Sequence, residues 1–331
     1  MSPSEQRIEN LSHWVRTQLG FTPSQISPAS EDASFRRYFR AVNGTRSFIV
    51  MDAPPEREAT EPFVDITSRL ESVGVHVPHV HAVDRDQGFV LLDDLGSSLY
   101  LKLLDERTVD HLYADAIAAL LKIQSAPSEG LADYGSELLR FEMRLFPDWL
   151  LERHLGIELT PAQKTTLEQV ANVLVDSALR QPQVFVHRDY HSRNLMVTRQ
   201  HNPGVLDYQD AVRGPLTYDL VSLLRDCYIA WPRSLVHDWA LTFRDALMRR
   251  ALPAGRTERE FLRWFDLMGI QRHLKASGIF ARLWRRDGKQ GYLRDIPRTL
   301  NYILEVAPGY PETEALARLI DDLQLLRRLS T

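Results

Sequence analysis

His187, Arg188, Asp189, Asn194 and Asp207 are the residues of this chain whose types and spacing can do chemistry. They fall in one stretch, 184–207, that reads VFVHRDYHSRNLMVTRQHNPGVLD. An apolar run, Val184-Phe185-Val186, ends in His187-Arg188-Asp189, and Asn194 follows Asp189 by five residues. Leu195-Met196-Val197 reads as a short strand and Asn202-Pro203-Gly204 as a turn. Val205-Leu206 then leads into Asp207. Two carboxylates and an amide at strand ends suit the transfer of a phosphoryl group to a hydroxyl. Asp189 can orient that hydroxyl and accept its proton, a contribution of roughly 10²–10⁴-fold for a positioned base. Asn194 and Asp207 offer the hard oxygen donors that Mg²⁺ accepts while keeping much of its water. His187 is expected to pack and hydrogen-bond behind the loop, and Arg188 to pair with the base or with another acid.

The elements that must position these groups follow from the chain before and after them. Ile8, Leu11, Val15 and Leu19 recur at helical spacing, with Trp14 widening the stripe and Gly20 as a stop. Phe35–Val42 and Arg46–Met51 read as strands around Asn43-Gly44. That dipeptide signals a hairpin, because both central residues of a type I′ turn need positive φ. The loop before it, Ser30 to Ser34, has no glycine. Its small residues and hydroxyls, Ser34 among them, could still bring backbone N–H groups to a phosphate. Pro54-Pro55 breaks the chain, and Phe63, Ile66, Leu70 and Val73 give a helix facing the sheet, ended by Gly74. His76, His79 and His81 crowd the next segment. Pro78 lies among them and no carboxylate is placed in sequence to orient the rings, so they read as a partly exposed strand rather than a metal site. Gly88–Leu92 is a buried strand that leaves through Asp93-Asp94-Leu95-Gly96. This exit is the expected hinge, with Asp93 and Leu95 the candidates to meet an adenine. From Tyr100 the periodicity is helical, and Thr160-Pro161-Ala162-Gln163 has the composition of a capped helix start. Pro147 either kinks the helix that begins near Ser136 or opens a new one. The expectation is an α+β, bilobal, protein-kinase-like fold. A small β-rich N-lobe, 1–95, holds nucleotide, and a large helical C-lobe, 96–331, holds the catalytic loop and the acceptor pocket.

Composition narrows the classes. The 331 residues are 44% hydrophobic and 25% charged, as in ordinary globular proteins. A net charge of -4 argues against general nucleic-acid or membrane binding. Cys227 is the single cysteine, so an intrachain disulfide and a cysteine metal cluster are excluded and a reducing compartment is expected. The polar N-terminus lacks the apolar core of a signal peptide, and no apolar run nears the roughly 20 residues of a membrane helix. A cytoplasmic monomer acting on a small molecule is the expectation.

The order His-Arg-Asp, four residues, Asn, and then a strand-borne Asp is the kinase-type catalytic loop. With Gly214-Pro215-Leu216-Thr217-Tyr218-Asp219-Leu220 soon after Asp207, and no Ala-Pro-Glu, the chain resembles the aminoglycoside phosphotransferase-like kinases over nearly its whole length. Asp219 is expected to cap a helix and anchor the loop. Within that family, four stretches resemble the branch that acts on N-acetylated amino sugars: Asp32–Arg40, Ile49–Pro55, Phe141–Trp149 and Gln271–Arg282. The resemblance implies ATP and Mg²⁺ as cofactors. It implies the anomeric C1 hydroxyl of N-acetylmuramate and N-acetylglucosamine as acceptor, in peptidoglycan recycling toward UDP-N-acetylmuramate. One departure stands out. Met51 occupies the third-strand position where kinases have a phosphate-binding lysine. Arg36 and Arg37 are the candidate substitutes, because a guanidinium can hold phosphate bidentately, although only one of two neighbouring strand residues points inward.

The region 269–298 is rich in arginine and lysine, which suits an anionic or neutral acceptor better than a polycationic one. Arg188, His191, Glu142, Trp149, Arg225 and Arg272 are the candidates for the acceptor pocket, with Arg144 beside them. The alternatives are a kinase for another hydroxyl compound (aminoglycoside, choline or homoserine) and, from Met51 and the glycine-free loop, a catalytically weak kinase-like binding module.

Overall fold

The computed structural model describes residues 3–31 and 35–329. The chain folds as two compact units: Met1–Lys102 with Asn194–Asp210, and Leu103–Arg193 with Ala211–Thr331. A single cut near residue 95 therefore does not describe it. Backbone hydrogen bonds explain why 194–210 belongs to the first unit: Val197 N–H donates to Ser98 O at 2.7 Å and Val205 N–H to His76 O at 2.8 Å.

The first unit is built on a five-stranded sheet, β1 (Gln25–Glu31), β2 (Arg37–Asn43), β3 (Arg46–Asp52), β4 (Val80–Asp84) and β5 (Phe89–Asp93), ordered β1-β2-β3-β5-β4. Every neighbouring pair is antiparallel. Strand alternation gives the sheet two faces. Phe39, Ala41, Val50, Phe89 and Leu91 share one face and form a core with Leu11, Trp14 and Val15 of α1 (Pro3–Leu19). The amphipathic spacing of α1 thus does what its sequence implies. Helix α2 (Glu61–Ser72) buries Phe63, Ile66 and Leu70, as its pattern implies. The ring of Phe63 stacks on Tyr208 at 5.1 Å, and Thr67 shares a 2.8 Å hydrogen bond with the Tyr208 hydroxyl.

Two local features differ from expectation. The hairpin forms, but Asn43 pairs with Arg46, so Gly44 and Thr45 are the central turn residues. Of the two only Gly44 has positive φ, 61°, the pattern of a II′ rather than a I′ turn. Strand β1 has no counterpart in the sequence reading. Gln25-Ile-Ser-Pro-Ala-Ser-Glu31 lacks apolar alternation and contains Pro28, a combination tolerated only at a sheet edge, where it lies.

The second unit is helical. The short α3 (Tyr100–Leu103) runs into it, and α4 (Val109–Ile123), α5 (Ser136–Leu145) and α6 (Pro161–Leu179) follow. After them come α7 (Tyr218–Leu224), α8 (Arg233–Arg249), α9 (Glu258–Asp287), α10 (Ile296–Val306), α11 (Glu314–Asp322) and α12 (Leu325–Leu329). The start of α6 is the capping box expected at Thr160 and Gln163. Helix α5 ends at Leu145, and Pro147 sits second in a π-helical segment, Phe146–His154. Widened turns of this kind recur where side chains must be re-aimed.

Helix α9 crosses that junction so closely that only glycine fits. A Cβ at Gly278 would lie 2.2 Å from the Leu145 carbonyl carbon and 2.6 Å from the Phe146 nitrogen. Both are backbone atoms and cannot swing aside. Gly278→Ala should therefore destabilise the protein by about 1–3 kcal/mol, measured by equilibrium denaturation. A gain in stability from the better helix former would contradict this packing.

Candidate active site

In the second unit, β6 (Gln183–Val186) pairs with β9 (Val212–Pro215) and delivers the His-Arg-Asp triplet. His187 is fully buried, and its Nδ1 accepts the Asp189 N–H at 3.2 Å. Buried Asp219 accepts the His187 and Arg188 N–H groups at 2.7 and 3.0 Å. It anchors the loop as expected; the helix N-cap is Thr217 instead. Burial pushes the Asp219 carboxyl up to about 6 against the pull of those donors. The anchor holds Arg188 at φ 76°, a left-handed conformation that costs a non-glycine residue energy. The far side of the loop is fixed by buried Asp226, which accepts from the Ser192 N–H at 2.9 Å and its hydroxyl at 2.5 Å.

The surroundings of Asp189 set its protonation. Burial raises its pKa, but Lys275, His191, Arg272 and Arg188 together outweigh burial and hold the carboxyl below the usual range. It is therefore ionised, the form a proton acceptor needs. Behind it lies a buried ionic cluster centred on Glu142. That carboxylate accepts from Arg188 at 2.7 Å and pairs with Lys275 Nζ at 3.0 Å. It also accepts the Tyr134 hydroxyl in a short hydrogen bond. Lys275 donates in addition to the Tyr218 hydroxyl at 2.9 Å. Burial opposes ionisation of Glu142, and the two cations overcome it.

The oxygen donors lie in the first unit. Strands β7 (Leu195–Met196) and β8 (Gly204–Val205) form a small hairpin that brings Asn194 and Asp207 together. Asn194 Nδ2 donates to Asp207 Oδ2 at 3.1 Å, and Leu206 N–H donates to Asn194 O at 2.9 Å. Gln209 Nε2 holds Asp207 Oδ1 at 2.9 Å. Asp207 has φ 63°, again strained for a residue with a side chain. Among the described residues no three His, Cys, Asp or Glu side chains gather as a metal cage. An amide-carboxylate pair fits Mg²⁺, which needs few protein ligands.

The residues expected to hold nucleotide are placed as follows. Ser34 lies outside the described residues. Arg36 is buried and paired with Glu58 at 2.9 Å. Arg37 alternates with Phe39 and Ala41 onto the α1 face of the sheet. There Asp52 takes its guanidinium at 2.5 Å and that of Arg7 at 2.6 Å. Asp93 accepts from His81 at 2.7 Å. Leu95 lies against Gly204, where a Cβ would stand 2.7 Å from its Cδ1. Met51 is fully buried in β3. The three histidines have three different partners: His76 meets the His201 carbonyl, His79 meets Glu71 and His81 meets Asp93. Carboxylates do orient two of the rings, contrary to expectation, because Glu71 and Asp93 arrive from a helix and a neighbouring strand.

The acceptor-side candidates separate. Arg188, His191 and Arg272 surround Asp189 electrostatically. The His191 ring packs edge-on against Tyr228 at 5.4 Å, and burial pushes its pKa down against the pull of Asp226 and Asp189. Glu142 is occupied by its two cations. Arg225 is fully buried, paired with Asp266 at 2.6 Å and stacked on Phe265, so it serves the helical core. Trp149 lies on the π-helical segment under the Arg153 guanidinium, 4.1 Å from its centroid. Arg144 helps line a cavity of about 650 Å³ with Met143, Pro147 and Leu167; the residues around Asp189 do not line it.

The sequence model of the phosphotransferase enzyme family matches residues 25–265. This chain belongs to that family. A Pseudomonas putida protein described as N-acetylmuramate/N-acetylglucosamine kinase is 46% identical over 98% of both chains. One of the same description from Neisseria meningitidis serogroup B is 42% identical over 96% of both. Two solved structures share the phosphotransferase fold at low identity. Choline kinase LicA from Streptococcus pneumoniae has a TM-score of 0.64, with 12% identity over 90% of this chain and 98% of the other. ADP-bound aminoglycoside phosphotransferase APH(2'')-Ib has a TM-score of 0.57, with 14% identity over 88% and 97%.

Two charged residues with buried or clamped partners escaped the sequence reading. Lys275 was one cation in a basic region. In the structure, of the arginines and lysines in 269–298, only it and Arg272 are buried. Its i, i+3 spacing from Arg272 on one helix face was the available signal. Arg40 is the second. It alternates with Tyr38 onto the face away from α1, and its guanidinium clamps Asp94 at 2.6 Å and the Gly96 carbonyl at 2.9 Å. The strand exit is thereby tied to the sheet.

Proposed function

We propose that this phosphotransferase moves the γ-phosphoryl group of ATP to the anomeric C1 hydroxyl of N-acetylmuramate and N-acetylglucosamine. The observation that carries the acceptor is the 46% identity over 98% of the chain to a kinase described for those two sugars. The chemistry rests on Asp189. Its carboxylate accepts the C1 hydroxyl proton as the new O–P bond forms and ADP leaves. Asn194 and Asp207 would hold Mg²⁺, which supplies charge neutralisation for the phosphates. The glycosyl phosphate product suits a route toward UDP-N-acetylmuramate in peptidoglycan recycling, within the ATP-containing cytoplasm. No described helix is long and apolar enough to cross a membrane.

Incubation with ATP, Mg²⁺ and each sugar, followed by phosphorus NMR, tests this. The expected product is one phosphate monoester coupled to the anomeric proton. Phosphate at another carbon, or turnover of an aminoglycoside with none of either sugar, defeats the assignment.

A further inference from the structure

We propose that Arg272 is the residue that recognises the lactyl carboxylate of N-acetylmuramate, so that it sets the preference between the two sugars; this rests on the acceptor reading above. Buried guanidinium groups ordinarily sit against carboxylates, because an unpaired buried charge is costly. Arg225 obeys this rule with Asp266. Arg272 is 5% exposed, yet among the described residues none of its donors has a carboxylate within ion-pair distance. Its one hydrogen bond is a weak contact from NH1 to the Cys227 sulfur at 3.5 Å, and its Nε is buried without a partner.

Its position explains what it awaits. Cys227 adjoins Asp226, which fixes Ser192, and Tyr228 packs on His191. Arg272 therefore borders the catalytic loop and is attracted to Asp189 without being paired to it. Lys275, one turn along α9, is neutralised by Glu142. Among the described residues, Arg272 is the buried cation of 269–298 that has no carboxylate partner. N-acetylmuramate differs from N-acetylglucosamine in the lactyl ether on C3, two carbons from the reacting C1 hydroxyl. A base at C1 places that carboxylate near the base. A planar guanidinium takes a carboxylate bidentately, and among the described residues the donors of Arg272 meet only the weakly accepting Cys227 sulfur.

The test is the ratio of kcat/KM for the two sugars in Arg272→Gln. A charge-assisted hydrogen bond lost on one substrate should lower kcat/KM for N-acetylmuramate by roughly 10- to 100-fold. N-acetylglucosamine has no carboxylate to lose, so its kcat/KM should fall less, by only what the missing positive charge near Asp189 costs both sugars, and circular dichroism reports that the variant is folded. A matched substrate, the lactyl methyl ester of N-acetylmuramate, should be disfavoured by the parent protein and not further by the variant. An equal loss on both sugars overturns the proposal, since Arg272 then serves the phosphoryl group or Asp189. An unchanged ratio overturns it as well. No turnover of either sugar by the parent protein defeats the acceptor assignment itself, and this inference with it.

Discussion

Asp189→Asn should lower kcat by roughly 10²–10⁴-fold and leave KM for ATP near the parental value. The amide keeps the shape of the carboxylate but cannot accept a proton. Steady-state kinetics with ATP and N-acetylglucosamine reads the effect, and survival at the parental rate defeats the assignment of the base. The surroundings also fix a pH signature. Lys275, His191, Arg272 and Arg188 outweigh burial and hold the carboxyl below its usual value of about 3.9. A depressed pKa keeps the proton-accepting form populated on acidification. The kcat profile should therefore show no acid limb from Asp189 between about pH 5 and 7. An acid limb centred there that disappears in Asp189→Asn contradicts the charge environment described.

Glu142→Gln should be the most damaging change to stability. The amide matches the carboxylate in size, so packing is conserved while the cluster rises from one net positive charge to two. Removing one partner of a buried ionic network costs about 3–5 kcal/mol, because the remaining charges stay buried without compensation. Here buried Lys275 loses its carboxylate, and Arg188, part-buried beside the base, loses its contact to Glu142. Equilibrium denaturation should show the loss. Adding Lys275→Met to Glu142→Gln should recover much of it, since a neutral, well-packed cluster tolerates burial. A loss under about 1 kcal/mol in the single variant, an amount typical of exposed pairs, means the cations find other partners and the cluster is not what fixes Arg188.

How much of this was legible in the sequence depends on distance along the chain. The order Asp189, Asn194, Asp207 was readable because strand, loop and turn geometry act locally, and the structure does bring Asn194 against Asp207. The amphipathic helices 3–19 and 61–72 were readable for the same reason. Strand β1 was not, because only its pairing with β2 makes it a strand. The turn at Gly44 was one residue out because register is set by the whole β2–β3 ladder. Arg37 was read as a candidate phosphate ligand, yet Asp52 of the neighbouring strand takes its guanidinium, and the same carboxylate takes Arg7 of α1. Arg225 was read as a pocket residue, and Asp266, 41 positions away, holds it. Partners so far apart in sequence are chosen by the fold alone.

The left-handed backbone at Arg188 and Asp207 has a consequence for engineering. Glycine adopts these angles freely, so a stability-only screen would favour glycine at both positions. At 207 that change would delete an oxygen donor outright. At 188 it would relax the loop and take from Glu142 one of its two cations. Selection for thermostability in this protein must therefore be coupled to turnover, or it will drift toward a well-folded and silent scaffold.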